Sequence, residues 1–178
     1  MGIYLTAARL DSQRQVQLAT DADGVVQAAT ETIYGADRQD WVLDLGKEAY
    51  SVEQVLKVYV PEIVTDAVYG IATGRKVGAD TGYGKPRYLS AERVSAIAQR
   101  LHTLPSNPVP AADPTGYTPD PRLALDPQLQ AVHHNLETIG VNMRDEEEVV
   151  GVKSAIAYLL DFYQKAKQKQ QGLLLFIR

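Results

Sequence analysis

The sequence predicts a single α+β domain spanning residues 1–178, in which about five to seven helices pack on a small sheet that includes the N-terminal and C-terminal strands. A chain of 178 residues has the usual size of one domain. Apolar segments of strand length lie near both ends, at residues 3–9 and 173–177, and helical periodicity fills much of the chain between them. Because residues 173–177 are apolar on both faces, we expect them to pair with the N-terminal strand in the middle of the sheet.

The first half of the chain predicts four helices separated by turn residues. Asp11 or Ser12 can cap the first, and residues 21–24 form a turn before the second. Asp44, which follows an apolar segment, is the expected N-cap of the third, and Pro61 ends that helix. The predicted helices cover residues 12–20, 25–34, 47–59 and 61–69.

The second half begins with a glycine-rich irregular loop at 70–84 and continues with three helices. Ser90 caps a helix over 91–104, and Asp126 caps one that begins at Pro127. The last helix begins in an acidic run and ends in a lysine-rich one, which suits the helix dipole, and Gly172 is expected to close it.

Composition limits the classes of function. The absence of cysteine excludes disulfides and thiolate metal sites. The start of the chain shows no signal-peptide pattern and the longest apolar run has five residues, so we expect a cytoplasmic protein without a membrane span. A net charge of −4 makes nucleic-acid binding an unfavoured partner class. Seven of the nine prolines lie in 105–127, which predicts a Pro-rich surface loop within the domain.

The first candidate site is the loop that precedes the Ser90 helix. Residues 75–100 contain six basic and two acidic side chains, so this segment has a positive net charge within an acidic chain. Glycine N–H groups close to a helix N-terminus can bind an anion, basic side chains add charge, and tyrosines can stack on a ring. The loop lacks the Walker and dinucleotide signatures, and a tight structural turn is the alternative. The candidate ligand-binding residues are Gly82, Tyr83, Gly84, Lys85, Arg87 and Tyr88.

Other constellations carry weaker signals. His133 and Glu137 share a helix face, but a zinc site needs three or four convergent ligands, so we expect no metal. No Gly-x-Ser-x-Gly elbow is present. Trp41 is expected in the core, with a partner-binding surface as the alternative. Four acids could in principle form a carboxylate pair, although sequence does not show that any two converge: Asp44, Asp66, Asp80 and Glu92.

Several segments, in order along the chain, resemble a known family. The run Gly82-Tyr83-Gly84-Lys85-Pro86-Arg87-Tyr88-Leu89-Ser90-Ala91-Glu92-Arg93-Val94 is its most specific part, preceded by Ala67-Val68-Tyr69-Gly70. The segment Asp44-Leu45-Gly46-Lys47-Glu48-Ala49-Tyr50, the opening Met1-Gly2-Ile3 and the ending from Glu147 through Phe162-Tyr163 to Ile177 complete the pattern. Together they resemble the bacterial YfbM-like family (domain of unknown function 1877). The resemblance implies a single α+β domain and brings no activity with it.

Two functions remain open from the sequence, and the acidic net charge argues against a third, contact with single-stranded nucleic acid through Arg75, Lys76, Lys85, Arg87 and the tyrosines. Because no catalytic, metal or cofactor signature is recognised, we expect a small non-enzymatic binding or interaction protein that uses no cofactor and binds a protein partner or a small anion. The alternative is an enzyme or sensor for a small phosphorylated ligand held at residues 82–88.

Overall fold

The computed structural model describes residues 5–35, 41–82, 84–113 and 120–177. Within these ranges the chain forms five strands and seven α-helices, with a short 3-10 helix at Pro121–Ala124. The strands are β1 (Leu5–Leu10), β2 (Val42–Gly46), β3 (Arg75–Lys76), β4 (Arg87–Leu89) and β5 (Gly172–Ile177). The α-helices are α1 (Ser12–Gln17), α2 (Ala22–Tyr34), α3 (Ala49–Tyr59), α4 (Val64–Tyr69), α5 (Ala91–Leu101), α6 (Pro127–Thr138) and α7 (Glu146–Gln168).

The sheet is antiparallel and has the order β2-β1-β5-β4-β3. The two strands from the ends of the chain are neighbours near its centre, with Leu5 opposite Ile177 and Leu10 opposite Gly172. The predicted α+β class and the pairing of the terminal strands are therefore confirmed.

Helices cover both faces of the sheet, which explains why β5 is apolar throughout. Leu173 and Leu175 point into the larger core, which contains residues of α3 to α7. Leu174 and Phe176 point into a smaller core on the opposite face, where they meet α2. Because successive strand residues alternate between faces, only a strand covered on both sides needs apolar residues at every position.

Several predicted caps are confirmed. The Ser90 hydroxyl accepts a hydrogen bond from Arg93 N at 3.3 Å at the start of α5. Asp126 accepts from Gln128 N at 2.8 Å at the start of α6. Asp145, which we predicted only as part of an acidic run, caps α7 in the same way and accepts from Glu147 N at 2.9 Å. Each of these side chains binds an N–H group that would otherwise lack a partner in the first turn of its helix.

Three local predictions are wrong. Asp44 does not cap α3: it lies exposed in β2 and accepts a hydrogen bond from Gly46 N. Residues 21–24 are not a separate turn, because Asp21 caps α2 and the helix already begins at Ala22. Gly172 is the first residue of β5 rather than the end of α7, and the left-handed residue after the helix is Gln170, with φ 52°.

The described part of the proline-rich segment 105–127 contains both exposed and buried residues. Val109 and Pro110 are buried, and the end of the segment forms the 3-10 helix and the first residue of α6. No helix within the described ranges combines the length and the apolar character that crossing a membrane requires.

Candidate functional site

The glycine-rich loop is closed by its own acidic side chain. Asp80 Oδ1 accepts hydrogen bonds from Gly82 N at 2.8 Å and from Gly84 N at 3.0 Å. The carbonyl of Gly84 accepts from the amide and the hydroxyl of Thr81. Both glycines have positive φ, +96° and +107°, which L-residues rarely adopt. The two N–H groups that we predicted as an anion cradle thus bind a carboxylate that belongs to the chain.

The remaining loop candidates point to different surroundings. Lys85 is exposed, whereas the Arg87 guanidinium donates to the Gly74 carbonyl at 3.4 Å. The Tyr88 hydroxyl donates to Gln15 Oε1 at 3.1 Å. Tyr83 lies outside the described residues. β4 separates the glycines from the N-terminus of α5, so the loop does not lead directly into that helix. Anion binding at 82–88 stays a prediction.

The loop geometry makes that prediction testable. An anion can use the Gly82 and Gly84 amides only by displacing Asp80, so we expect phosphate to raise the melting temperature of Asp80→Ala more than that of the wild type, relative to chloride at equal ionic strength. The added shift should disappear in Asp80→Ala/Lys85→Ala. If phosphate stabilises the wild type and Asp80→Ala equally, the glycine amides do not form an anion site.

Asp66 forms the most deeply buried ion pair in the described structure. Its carboxylate is fully inaccessible and accepts from Arg93 Nε at 2.9 Å and from Arg93 Nη2 at 2.7 Å. Thr73 adds its amide at 2.8 Å and its hydroxyl at 2.5 Å. Burial raises the pKa of Asp66, but the hydrogen bonds from Thr73 and the Arg93 cation outweigh it, so the pKa lies below its ordinary value. This arrangement ties α4, the loop after it and α5 together, and is structural.

The weaker candidates take ordinary structural positions. His133 Nδ1 lies 3.4 Å from Glu137 Oε2 along α6. Across the described residues no three histidine or acidic side chains lie together in a way that could hold a metal ion. Trp41 is half-buried, with the Arg9 guanidinium 5.3 Å from its ring centroid. Asp44, Asp66 and Asp80 each bind backbone amides, as described above.

A cleft that we did not predict lies between α5 and α7, below the segment that leaves α5. Its volume is about 620 Å³. The walls are largely apolar, and side chains of residues 104–109 close one side. Small, mostly apolar clefts of this size are the usual form of a binding site for a small molecule. The apolar residues that shape it are Ala98, Leu101, Val109, Ile156, Ala157 and Leu160.

The polar side chains of the cleft are few and lie mainly along α7. Lys153, Asp161 and Gln164 follow the same face of the helix as Ala157 and Leu160. His102 is exposed at the end of α5. Lys153 is half-buried; burial lowers the pKa of its ammonium group, Arg122 lowers it further, and Asp120 raises it.

The signal for this cleft in the sequence is weak. The spacing Lys153, Ala157, Leu160 and Gln164 predicts one helix face, but such a face is equally typical of a surface that packs on the core. The opposing wall comes from residues about fifty positions earlier, and nothing in their composition indicates where they fold.

Comparison with known proteins shows the fold and no activity. No family model matches the sequence, and no curated protein matches it. The crystal structure of a protein of unknown function, YfbM from Escherichia coli, aligns with 98% of this chain and 99% of its own, with a TM-score of 0.53 and 14% identity. At that identity the likeness concerns the fold alone, because unrelated functions share folds. The chain has a YfbM-like α+β fold.

Proposed function

We propose that this protein is a non-enzymatic binding protein whose site is the cleft between α5 and α7. The observation that carries the proposal is the cleft itself, a concave volume of about 620 Å³ with mainly apolar walls. Burial of an apolar ligand surface there contributes about 25 cal/mol per Å² removed from water, before the cost of association.

The arrangement of polar groups supports binding without turnover. Ser106 and His102 both line the cleft, yet among the described residues they form no hydrogen bond with each other. Activation of a serine would require a base within hydrogen-bonding reach and a third group to orient that base. The polar groups around the cleft therefore fit the orientation of a ligand better than its chemical conversion.

Occlusion of the cleft tests the proposal. Ala157 lies on the exposed side of α7 and lines the cleft, so Ala157→Trp should fill it without disturbing the core. We expect octanol or indole to bind the wild type and to bind Ala157→Trp at least tenfold more weakly, which corresponds to about 1.4 kcal/mol. Titration followed by amide chemical shifts measures this difference.

Gln168→Trp provides the matched control, because Gln168 is exposed near the end of the same helix and does not line the cleft. It should bind the probes as the wild type does. Equal binding to the wild type and to Ala157→Trp, or no binding of any probe, would overturn the proposal. In the second case a protein partner becomes the better candidate.

The finer family assignment also remains our proposal. The run from Gly82 to Val94 and the ordered segments around it support membership in the YfbM-like family (domain of unknown function 1877). The shared fold is consistent with it. An alignment built from intermediate sequences that link this chain to YfbM, with the same segments in register, would test the assignment.

A further inference from the structure

We propose that the ligand of the α5–α7 cleft is an amphipathic monoanion, with an apolar body along α7 and a carboxylate bound by Lys153. This inference rests on the proposed function and specifies the chemistry of the same site. It follows from the charges around the cleft, from the position of Lys153 and from the order of side chains along α7.

Lys153 is the charged side chain of the cleft that forms no ion pair with any described residue. Asp161, the acid of the cleft, forms an ion pair with Lys165 at 2.9 Å. Asp120, whose charge reaches Lys153, is committed to Arg122 Nη2 at 2.6 Å and to Ala111 N at 3.1 Å. Within the part of the chain that the structure describes, no carboxylate forms an ion pair with the Lys153 ammonium group. An anion in the cleft would supply that missing counterion.

Partial burial increases the gain from such a pairing. The Lys153 side chain is half-buried, and burial together with the Arg122 cation disfavours its charged form. A cation in these surroundings is poorly hydrated, so a bound carboxylate costs less desolvation of the lysine than it would at an open surface. Hydrogen bonds between charged groups are also stronger than neutral ones.

The order of side chains along α7 orients the ligand. Ile156, Ala157 and Leu160 follow Lys153, and Asp161 and Gln164 come last. With a rise of 1.5 Å per residue, Asp161 lies about 12 Å farther along the helix axis than Lys153. An anionic group at Lys153 places an apolar chain along the middle of the cleft. A second anionic group at the far end would meet the Asp161 carboxylate, so the cleft should discriminate against dianions.

Three probes of equal length separate the contributions of charge and apolar contact. We expect the wild type to bind octanoate about tenfold more tightly than octanol, and octylamine no more tightly than octanol. Lys153→Met should bind octanoate and octanol with equal affinity, because it removes the charge that distinguishes them. Lys153→Arg should keep the preference for octanoate, because it keeps the charge. Isothermal titration calorimetry at fixed ionic strength gives the three affinities, and thermal melts confirm that the variants are folded.

The outcomes distinguish the two proposals. If octanol binds and Ala157→Trp abolishes that binding, but octanoate shows no preference in the wild type, the cleft is a binding site and the anionic ligand is wrong. A preference for octanoate that persists in Lys153→Met would also overturn the role of Lys153. If no probe binds, both proposals fail together.

Discussion

Replacement of Asp66 by asparagine is expected to lower the free energy of unfolding by about 3 kcal/mol. Loss of one partner from a buried ion pair typically costs about 3–5 kcal/mol. The effect should lie at the lower end because the Arg93 side chain is 31% exposed while that of Asp66 is 0% exposed. An amide cannot accept all four hydrogen bonds from Arg93 and Thr73, and its NH₂ group would face a donor. Urea titration measures the change, and the slope of the transition should stay constant.

Arg100 offers the matched control for this experiment. It lies on the same helix as Arg93 and forms an ion pair with Glu62, but both side chains of this pair are about half exposed. Exposed pairs contribute little because water and salt screen them. Arg100→Gln should therefore leave the urea midpoint almost unchanged. Equal losses in the two variants would show that burial of Asp66 is not the source of its effect.

The pH dependence of the Asp66 effect has a definite sign. The pKa of Asp66 in the folded protein is lower than its ordinary value of 3.8. A lowered pKa stabilises the folded state above the ordinary pKa, and that contribution is lost as the pH falls through the folded-state pKa. The difference in stability between the wild type and Asp66→Asn should thus be constant near neutral pH and shrink below about pH 4. A difference that stays constant down to about pH 3 would contradict the lowered pKa.

Gly172→Ala is the second substitution with a large expected effect, a loss of about 1–3 kcal/mol. A β-carbon at this position would lie 2.6 Å from Tyr88 Cε2 and 2.8 Å from the Leu89 carbonyl oxygen. The Tyr88 ring is held by its hydrogen bond to Gln15, and the carbonyl belongs to the neighbouring strand, so neither neighbour can move freely. The thermal midpoint should fall by several degrees for a domain of this size.

Gly82→Ala provides the control for this steric effect, because an added β-carbon at Gly82 would lie in open space. Gly82 has no atom within 4 Å of an added β-carbon, although its φ is positive. Gly82→Ala therefore reports backbone strain alone. A loss in Gly172→Ala that the double variant Gly172→Ala/Tyr88→Ala does not partly relieve would contradict the steric explanation.

The elements that could be predicted from sequence are those with strong local signals. Helices α5 and α6 begin directly after their predicted caps, Ser90 and Asp126, because each cap satisfies amides a few residues away. Helix α7 begins in the predicted acidic run. The central position of β5 followed from its apolar residues on both faces. Caps depend on residues a few positions away, and the burial of a strand is indicated by its run of apolar residues, so the local sequence contains both signals.

The failures share a dependence on distant contacts. Asp44 has the residue type of a cap, but β2 pairs with β1 at that position, and this pairing is invisible in the local sequence. Gly172 looked like a helix end, whereas the Tyr88 ring explains its missing side chain. Asp66 and Arg93 lie 27 residues apart, and the walls of the cleft are still farther apart in sequence. Local sequence patterns do not reveal contacts between residues that lie so far apart in the chain.

The central pairing of β1 with β5 has a consequence for how the protein is made. Leu5 lies opposite Ile177, so β1 is synthesised long before the strand that pairs with this edge exists. Until then β1 exposes an unpaired apolar edge, the kind of surface that chaperones bind and that promotes aggregation. Closure of so long a loop is also entropically costly, which slows folding. Recovery of the protein in cells should consequently depend on chaperone capacity more strongly than its folded stability alone would indicate.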